Sequence, residues 1–526
     1  MASLLAAASQ DLTALLRAHS LAKSVHAFAA AIMRLIRPLH NVPSGEKVLP
    51  HTLGGRQPLI ISTPTRERKH TVRRLLCPLA LLWAVVSAGG ALPAAASQGR
   101  LWLVAGDIHL NPFDRSPDPE GGRDAGAVLL DDAIDRMRRA APDPAVVVLT
   151  GDFLAHRFPA LAARYAPGVP PDRPALEAMR RIAGAFGRAF PRARFLIALG
   201  NNDAPCGDYR VPLRGPYLAA VARIWAPLVT RGRESADFVR DFARGGYYSM
   251  ALSGDRRIVV VNSVLFSLVF GGDCDGNERD AGRGELAWLA QTLARPHGGK
   301  TILIMHIPPG YDAQTTTYVR GLVAWPFLEP DANAAVDALV ASPRNGVAFV
   351  LSGHAHRFDF RLAGKVPVLT LGSLSPIYGN NPAFYTLHID EDGALSDIGE
   401  FTYDLTSQRW NAPRSFGRTW EAGSVVDAAS LARIHSRLGS NPALRRRWQQ
   451  QADGWPSRPA SAGIWLGWWR PAYCAQAFLG DGFTRCAGAG ARRVALIVAA
   501  ALLFAVTLVL LLLLQFARGG TTLEPP

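Results

Sequence analysis

From residue 101 onward the chain alternates between short apolar runs and polar, glycine-containing corners. The runs 101–105, 145–150, 194–199, 257–261, 301–305, 347–351, 366–371 and 383–389 are of strand length and rich in Val, Ile, Leu or Phe. Helical periods fill several of the gaps, at 127–140, 173–190, 284–293 and 332–340. Strands alternating with helices predict a layered α/β fold. Nearly continuous apolar strands predict burial, with chemistry gathered at the carboxyl ends. Beyond 400 the pattern becomes helical, at 425–438 and 441–452, which predicts a catalytic domain over 100–400 and a helical region over 401–490.

Two longer apolar segments bracket this core. The first, from Leu75 to about Ala96, follows Arg73-Arg74 and ends in Leu92-Pro-Ala-Ala-Ala-Ser97. A basic flank, an apolar stretch and small residues at the end are the layout of a secretory signal peptide, placed at 72–97; an N-terminal anchor is the alternative. Residues 1–71 read as a basic extension in front of it, and Val72 as a start codon of the GTG type is one account of that extension. The second segment, 494–514, has 21 residues without a charge or a proline, the length that crosses about 30 Å of hydrocarbon. It predicts a transmembrane helix followed by a tail at 515–526. Together the two segments predict a membrane-anchored protein with its main domain periplasmic or extracellular. Trp455, Trp465, Trp468 and Trp469 precede the second segment, either as an interfacial patch or packed on the domain.

Composition changes this picture little. The formal net charge is +15. Residues 1–74 hold eleven Lys/Arg against three Asp/Glu, leaving about half of the excess for the rest. The remainder has no basic stripe interleaved with aromatics, so nucleic acid is not an expected partner. Five cysteines are present. Cys77 falls in the signal segment, and Cys206, Cys274, Cys474 and Cys486 form an even set suited to an oxidising compartment. Of three possible pairings, Cys206–Cys274 with Cys474–Cys486 is the one adopted, four free thiols being the alternative. None has metal-site spacing.

The polar corners carry the chemistry. They read Gly106-Asp-Ile-His109, Gly151-Asp152, Gly200-Asn-Asn-Asp203, Met305-His306 and Gly353-His-Ala-His356, each directly after a predicted strand. Imidazole and carboxylate suit Zn, Mn or Fe ions. Asp107 and His109 stand two apart, as do His354 and His356, so each pair can face one side. Asp152 suits a bridging carboxylate. Two ions about 3.5–4 Å apart can hold a hydroxide and offset phosphoryl charge.

These motifs, in this order, resemble those of the calcineurin-like metallophosphoesterase superfamily. The resemblance implies a four-layer β-sandwich flanked by helices and a pair of divalent ions. Asp107, His109, Asp152 and His356 would hold one ion, and Asp152, Asn201, His306 and His354 the other. Asp107-Ile-His-Leu-Asn-Pro112 and Thr150-Gly-Asp-Phe-Leu-Ala-His156 are similar to segments of acid sphingomyelinase-like phosphodiesterases, which implies His156 beside the substrate phosphate. The superfamily usually has His after the metal-binding Asn; this chain has Asn202. Asn202, His156 and Asp203 are the candidate catalytic residues.

An amide cannot act as a general acid. An alkoxide leaving group, near water with a pKa of about 15.7, needs protonation; a phosphate with a pKa of about 6 hardly does. The expected substrates are therefore phosphodiesters such as lipid headgroups, with His156 as the proton source, or alternatively phosphoanhydrides such as polyphosphate or nucleoside polyphosphates. The G-N-N-D variant resembles that of endopolyphosphatases. A non-catalytic binding protein is a third reading, disfavoured because every expected metal position is filled. Oligomeric state is not legible.

Overall fold

In the computed structural model the described residues are 100–488, apart from 214, 232–234, 253–254, 279, 319–323 and 458–468, together with 499–500, 502–504, 506–507 and 511. The chain divides into two compact units, Met1–Gly89 and Gly90–Pro526. The first, with the expected extension and signal segment, lies outside the described residues.

Two sheets form among the described residues. The first has the order β12-β11-β10-β1-β2-β3, with β13 pairing on β11. Its strands are β1 (Arg100–Ala105), β2 (Val146–Leu149), β3 (Arg194–Ile197), β10 (Ala383–Ile389), β11 (Leu395–Asp404), β12 (Arg409–Trp410) and β13 (Arg414–Ser415). The second has the order β4-β5-β6-β7-β9-β8. It comprises β4 (Tyr248–Leu252), β5 (Arg256–Val260), β6 (Thr301–Ile304), β7 (Val347–Ser352), β8 (Asp359–Ala363) and β9 (Val366–Thr370). β1, β2 and β3 run parallel to one another, as do β5, β6, β7 and β9. That parallelism explains the solid apolar runs: Val146-Val-Val-Leu149 is buried throughout, because both faces of a parallel strand are covered. One hydrophobic cluster draws on both sheets and on the helices outside them.

The helices follow from their apolar stripes. α1 (Ala127–Ala140) buries Leu129, Leu130, Ala133, Ile134 and Met137, and two short or medium helices follow, α2 (Phe158–Tyr165) and α3 (Asp172–Ala189). α3 buries Ala175, Ala178, Met179, Ile182, Ala183 and Phe186, the i, i+3, i+4, i+7 spacing of one helical face. α4 (Tyr217–Val229) packs on α3 and β3, beside α5 (Ser235–Phe242). α6 (Ala281–Ala294) and α8 (Pro330–Ala341) pair with each other, with the short α7 (Ala313–Tyr318) between them in sequence.

The predicted strands are all present, but β4, β8 and β11–β13 were not legible as strands. The region from 401 is therefore not purely helical: its first four residues complete β11, and β12 and β13 follow. These edge strands carry charged and polar residues on a half-exposed face, which hides the apolar alternation. α9 (Phe416–Trp420), α10 (Ala428–Ser440), α11 (Pro442–Ala452) and α12 (Arg470–Ala477) complete the C-terminal region. α10 starts at a capping box, Asp427 accepting from Ser430 N while Ser430 Oγ accepts from Asp427 N. α9 packs on β11, and α10 and α12 on β8. Trp455 Nε1 donates to Glu400 at 2.6 Å, and the Trp469 ring lies edge-on to Tyr473, so both indoles pack on the domain. Trp465 and Trp468 lie outside the described residues.

Among the described residues no helix is long and apolar enough to cross a membrane. This corrects the expected transmembrane helix at 494–514, and with it the membrane partner and membrane-anchored placement drawn from it. A span takes about 20 consecutive apolar helical residues. Helix is described there only at 499–500, 502–504, 506–507 and 511, and the rest of that segment lies outside the described residues.

Two disulfides join Cys206 to Cys274 and Cys474 to Cys486, the pairing adopted from the sequence.

Candidate metal centre

All seven expected ligands sit in loops that leave the carboxyl ends of β1, β2, β3, β6 and β7. The β1 and β2 loops run side by side. Asp107 N bonds Gly151 O at 2.9 Å, His109 N bonds Asp152 O at 2.9 Å, and Leu110 N bonds Phe153 O at 2.8 Å. The second sheet is tied to the first through the site itself: His306 Nδ1 donates to Thr150 O at 2.8 Å, and His354 N donates to both carboxylate oxygens of Asp107, at 2.9 and 3.1 Å.

Three overlapping groups result among the described residues. Ligand atoms of Asp107, His109, Asp152 and His356 all lie within 4.8 Å of one another, and so do those of Asp152, His306 and His354, and those of His109, His156 and His356. Asp152 belongs to the first two. Asn201 Oδ1 lies 3.1 Å from His306 Nε2 on the second group's side. Its amide is oriented by Asn201 Nδ2 donating to Asn202 Oδ1 at 2.7 Å. Asn202 N in turn donates to Asp152 Oδ1 at 2.8 Å.

The donor set fits cations. His109 Nδ1 donates to Leu154 O at 3.1 Å, which leaves Nε2 with its lone pair. That lone pair faces His356 Nε2 at 3.0 Å and the Asp152 carboxylate at 3.3 Å. His306, held by Thr150 O, likewise turns Nε2 to Asp152 Oδ2 at 3.2 Å. Lone pairs and carboxylates converging in a water-excluded space repel one another unless positive charge lies between them. Burial supports this at three of the four imidazoles by keeping them neutral: His109 is pushed down to about 4, His354 to about 3, and His356 well below its ordinary value. Burial raises Asp107 to about 7. Burial also opposes charge on Asp152, but the His306 and His109 imidazoles outweigh it and hold the pKa below the usual carboxylate range. His306 goes up to about 9, because the Asp152 carboxylate overrides its desolvation.

The candidate catalytic residues are placed differently from one another. Asp203 is buried, and its oxygens accept from Phe153 N at 2.7 Å, Leu154 N at 3.1 Å and Gly200 N at 2.8 Å. It braces the loops that carry Asp152 and Asn201. His156 stacks on His109, with ring centroids 4.0 Å apart. Its Nδ1 bonds Asp124 Oδ1 at 2.8 Å, and its Nε2 lies 3.3 Å from Tyr378 Oη. Burial opposes charge on His156, yet the Asp124 hydrogen bond and charge leave its pKa raised. Asp124 and Tyr378 were missed from sequence. Asp124 stands in an acidic, glycine-rich stretch without a motif, and Tyr378 arrives from a distant loop. Tyr209 was missed too; its ring lies edge-on to His354 at 6.1 Å.

Residues 102–358 match the model of the calcineurin-like phosphoesterase family. That matched stretch, just under half of the chain, holds all seven candidate ligands. The chain is also similar to two Dictyostelium discoideum proteins. It is 24% identical over 319 residues to sphingomyelinase phosphodiesterase D, covering 58% of this chain and 66% of that protein. It is 24% identical over 192 residues to sphingomyelinase phosphodiesterase C, covering 36% and 39%. The chain thus spans less than two thirds of either relative. Among solved structures, the calcineurin-like phosphoesterase YfkN of Bacillus subtilis aligns at 10% identity and a TM-score of 0.27, over 65% of this chain and 98% of that one. Calcineurin-like phosphoesterases use divalent ions, and the His/Asp cluster of this chain could hold them.

Proposed function

We propose that this chain is a phosphohydrolase with a pair of divalent ions, acting on phosphodiesters. The single observation that carries the reading is the pair of four-residue ligand sets, Asp107/His109/Asp152/His356 and Asp152/Asn201/His306/His354, sharing one carboxylate. Two bound divalent ions, Zn, Mn or Fe, would supply Lewis acidity and activate a water. The chain's own residues then do three things. Asp152 bridges the two halves of the site. Asn202 orients Asn201 and leaves its own amide N–H groups for a phosphate oxygen. His156, backed by Asp124, holds a proton at the site's rim for an alkoxide leaving group.

The raised pKa of His156 favours the diester reading, since a protonated imidazole supplies the acid that Asn202 cannot. The absence of His at position 202 favours the second reading, cleavage of phosphoanhydrides, which need no acid for the leaving group. The disulfides and the sphingomyelinase-named relatives support a site of action outside the cytoplasm.

A panel of bis-nitrophenyl phosphate, sphingomyelin, ATP and polyphosphate, each with Mn, Zn or Fe, tests the proposal. Turnover of at least one diester is expected; hydrolysis of anhydrides alone selects the second reading, and no hydrolysis with less than one ion bound per chain removes both. Asn202→His is the finer test. It should raise turnover of alkyl phosphodiesters by about tenfold more than turnover of anhydrides. An equal effect on both would show that leaving-group protonation is not what position 202 controls.

A further inference from the structure

We infer that Asp453, in the C-terminal region, is a positioning residue for the candidate ligand His356; this rests on the two-ion reading above. His356 is held differently from His109 and His306. His109 and His306 each spend Nδ1 on a backbone carbonyl, whereas His356 Nδ1 is buried with no hydrogen-bond partner among the described residues. Its backbone is also in the left-handed region, φ 56°, a conformation that persists in a non-glycine residue only when its surroundings enforce it. The His356 ring packs on His109 and edge-on to Tyr378, with centroids 4.8 and 4.7 Å away, contacts that orient the ring and not the backbone that follows it.

The next two residues supply that enforcement, and their partners lie at the end of α11. Arg357 Nη1 pairs with Asp453 Oδ1 at 3.1 Å; the carboxylate side chain is 6% exposed and the guanidinium 29%. Phe358 N donates to Ala452 O at 3.3 Å. The Phe358 ring packs against Trp448 of α11, with centroids 6.0 Å apart. The end of α11 is itself anchored to the first sheet's side of the site. Asn381 N bonds Asp453 O at 3.0 Å, and Asn381 Nδ2 bonds Gly454 O at 3.0 Å. Residue 453 thus joins two loops, the one that follows His356 and the one that follows Tyr378. A nearly dry ion pair between short, fixed elements sets direction more than energy. The rings of His354 and His356 both lack an outer hydrogen bond among the described residues; His354 is tied through its backbone N to Asp107, and His356 is the one whose flank is clamped by a distant segment. Outer partners of metal ligands typically govern affinity by about 10- to 100-fold.

The test uses the full chain, loaded with Mn(II) against a graded chelator and read as ions bound per chain, with near-ultraviolet circular dichroism as the measure of fold. Asp453→Asn, Arg357→Gln and the double variant are compared with wild type. Half-loading of one of the two ions should need about tenfold more metal in each single variant, with the other ion within about twofold. The double variant should resemble either single, because both remove one interaction. Asp453→Glu, which keeps the charge, should recover most of the loss, and KM at saturating metal should not move. Should Asp453→Asn not fold, Arg357→Gln, at the more exposed end, gives the same reading. Wild-type loading of both ions in the single variants, or losses that add in the double, would overturn the assignment. A wild-type chain that holds no ion overturns the two-ion reading itself, and this assignment with it.

Discussion

Five of the seven candidate ligands occupy backbone conformations that non-glycine residues rarely adopt. Asp107, His109, Asp152, His354 and His356 have φ of 49°, 46°, 52°, 72° and 56°. Each costs on the order of 1–3 kcal/mol unless the surroundings enforce it. The loops therefore turn sharply at the ligand itself, aiming its side chain back across the strand ends. Gly353 shows how little room remains, since a Cβ there would meet Asp107 Oδ2 at 2.5 Å. Asp152→Asn keeps shape but removes the shared negative charge. It should cut turnover by about 10²-fold or more and lower the ions bound per chain, read by kinetics and metal analysis together. Near-normal turnover would sink the site. Asp124→Asn tests the rim. Asp124 raises the pKa of His156, so the substitution should lower it. If His156 gives up a proton during turnover of alkyl diesters, the alkaline limb of the kcat profile moves to lower pH. The stability sign agrees: the pair stabilises the fold below the imidazole's ordinary pKa and less as pH rises through the raised one. The variant should thus lose stability at pH 5–6 and little at pH 9, measured as Tm.

At the scale of elements, α6 carries a carboxyl with no positive partner among the described residues. Glu285 is fully buried, accepts from Asn262 N at 2.6 Å, and is pushed well above the ordinary carboxyl range by burial. The folded chain keeps a proton there that the unfolded chain releases. Stability from this group therefore falls as pH rises above the ordinary carboxyl pKa. Glu285→Gln keeps the acceptor and cannot ionise. Its Tm should exceed that of wild type at pH 8, and the difference should vanish near pH 4; a constant difference across that range would show that packing, not ionisation, is responsible. The helical periods at 127–140 and 173–190 matched α1 and α3 closely, because one apolar stripe repeats over several turns in each. α4 was not legible: Tyr217–Val229 is apolar on most sides, and Pro227 lies inside it. A period is lost to the eye when the outer face is apolar as well: Ala219, Ala220, Ile224 and Leu228 stand on the half-buried side of this helix.

For the whole molecule, the two disulfides act on loops of unlike size. Cys206–Cys274 spans 68 residues and ties the loop that follows Asn201 and Asn202 to the segment after β5; Cys474–Cys486 spans 12. Loop-closure entropy assigns about 4 kcal/mol to the longer and about 3 kcal/mol to the shorter. Replacing Cys206 and Cys274 by Ser should therefore lower Tm more than replacing Cys474 and Cys486. The opposite order would place the greater stabilisation in the C-terminal region, which is where the clamp at Asp453 begins.

The sequence alone determined the strand ends and what stands on them. Asp107, His109, Asp152, Asn201, His306, His354 and His356 each follow an apolar run directly, and a residue at a strand's carboxyl end has its position set locally, by the strand and the turn. The order of motifs carries a resemblance to the calcineurin-like metallophosphoesterases, and that resemblance implied two sheets and two ion sites. Only the tertiary structure decided what holds those residues in place. Asp124 behind His156, Thr150 O behind His306, Leu154 O behind His109 and the end of α11 behind His356 are contacts between segments from about thirty to about a hundred and fifty residues of the chain apart. Two such groups carry no mark of each other in the linear order, because hydrogen bonds and ion pairs depend on distance in space. The same limit applies to an apolar stretch such as 494–514: hydropathy gives the cost of leaving it in water, and a continuous helix is a separate structural condition.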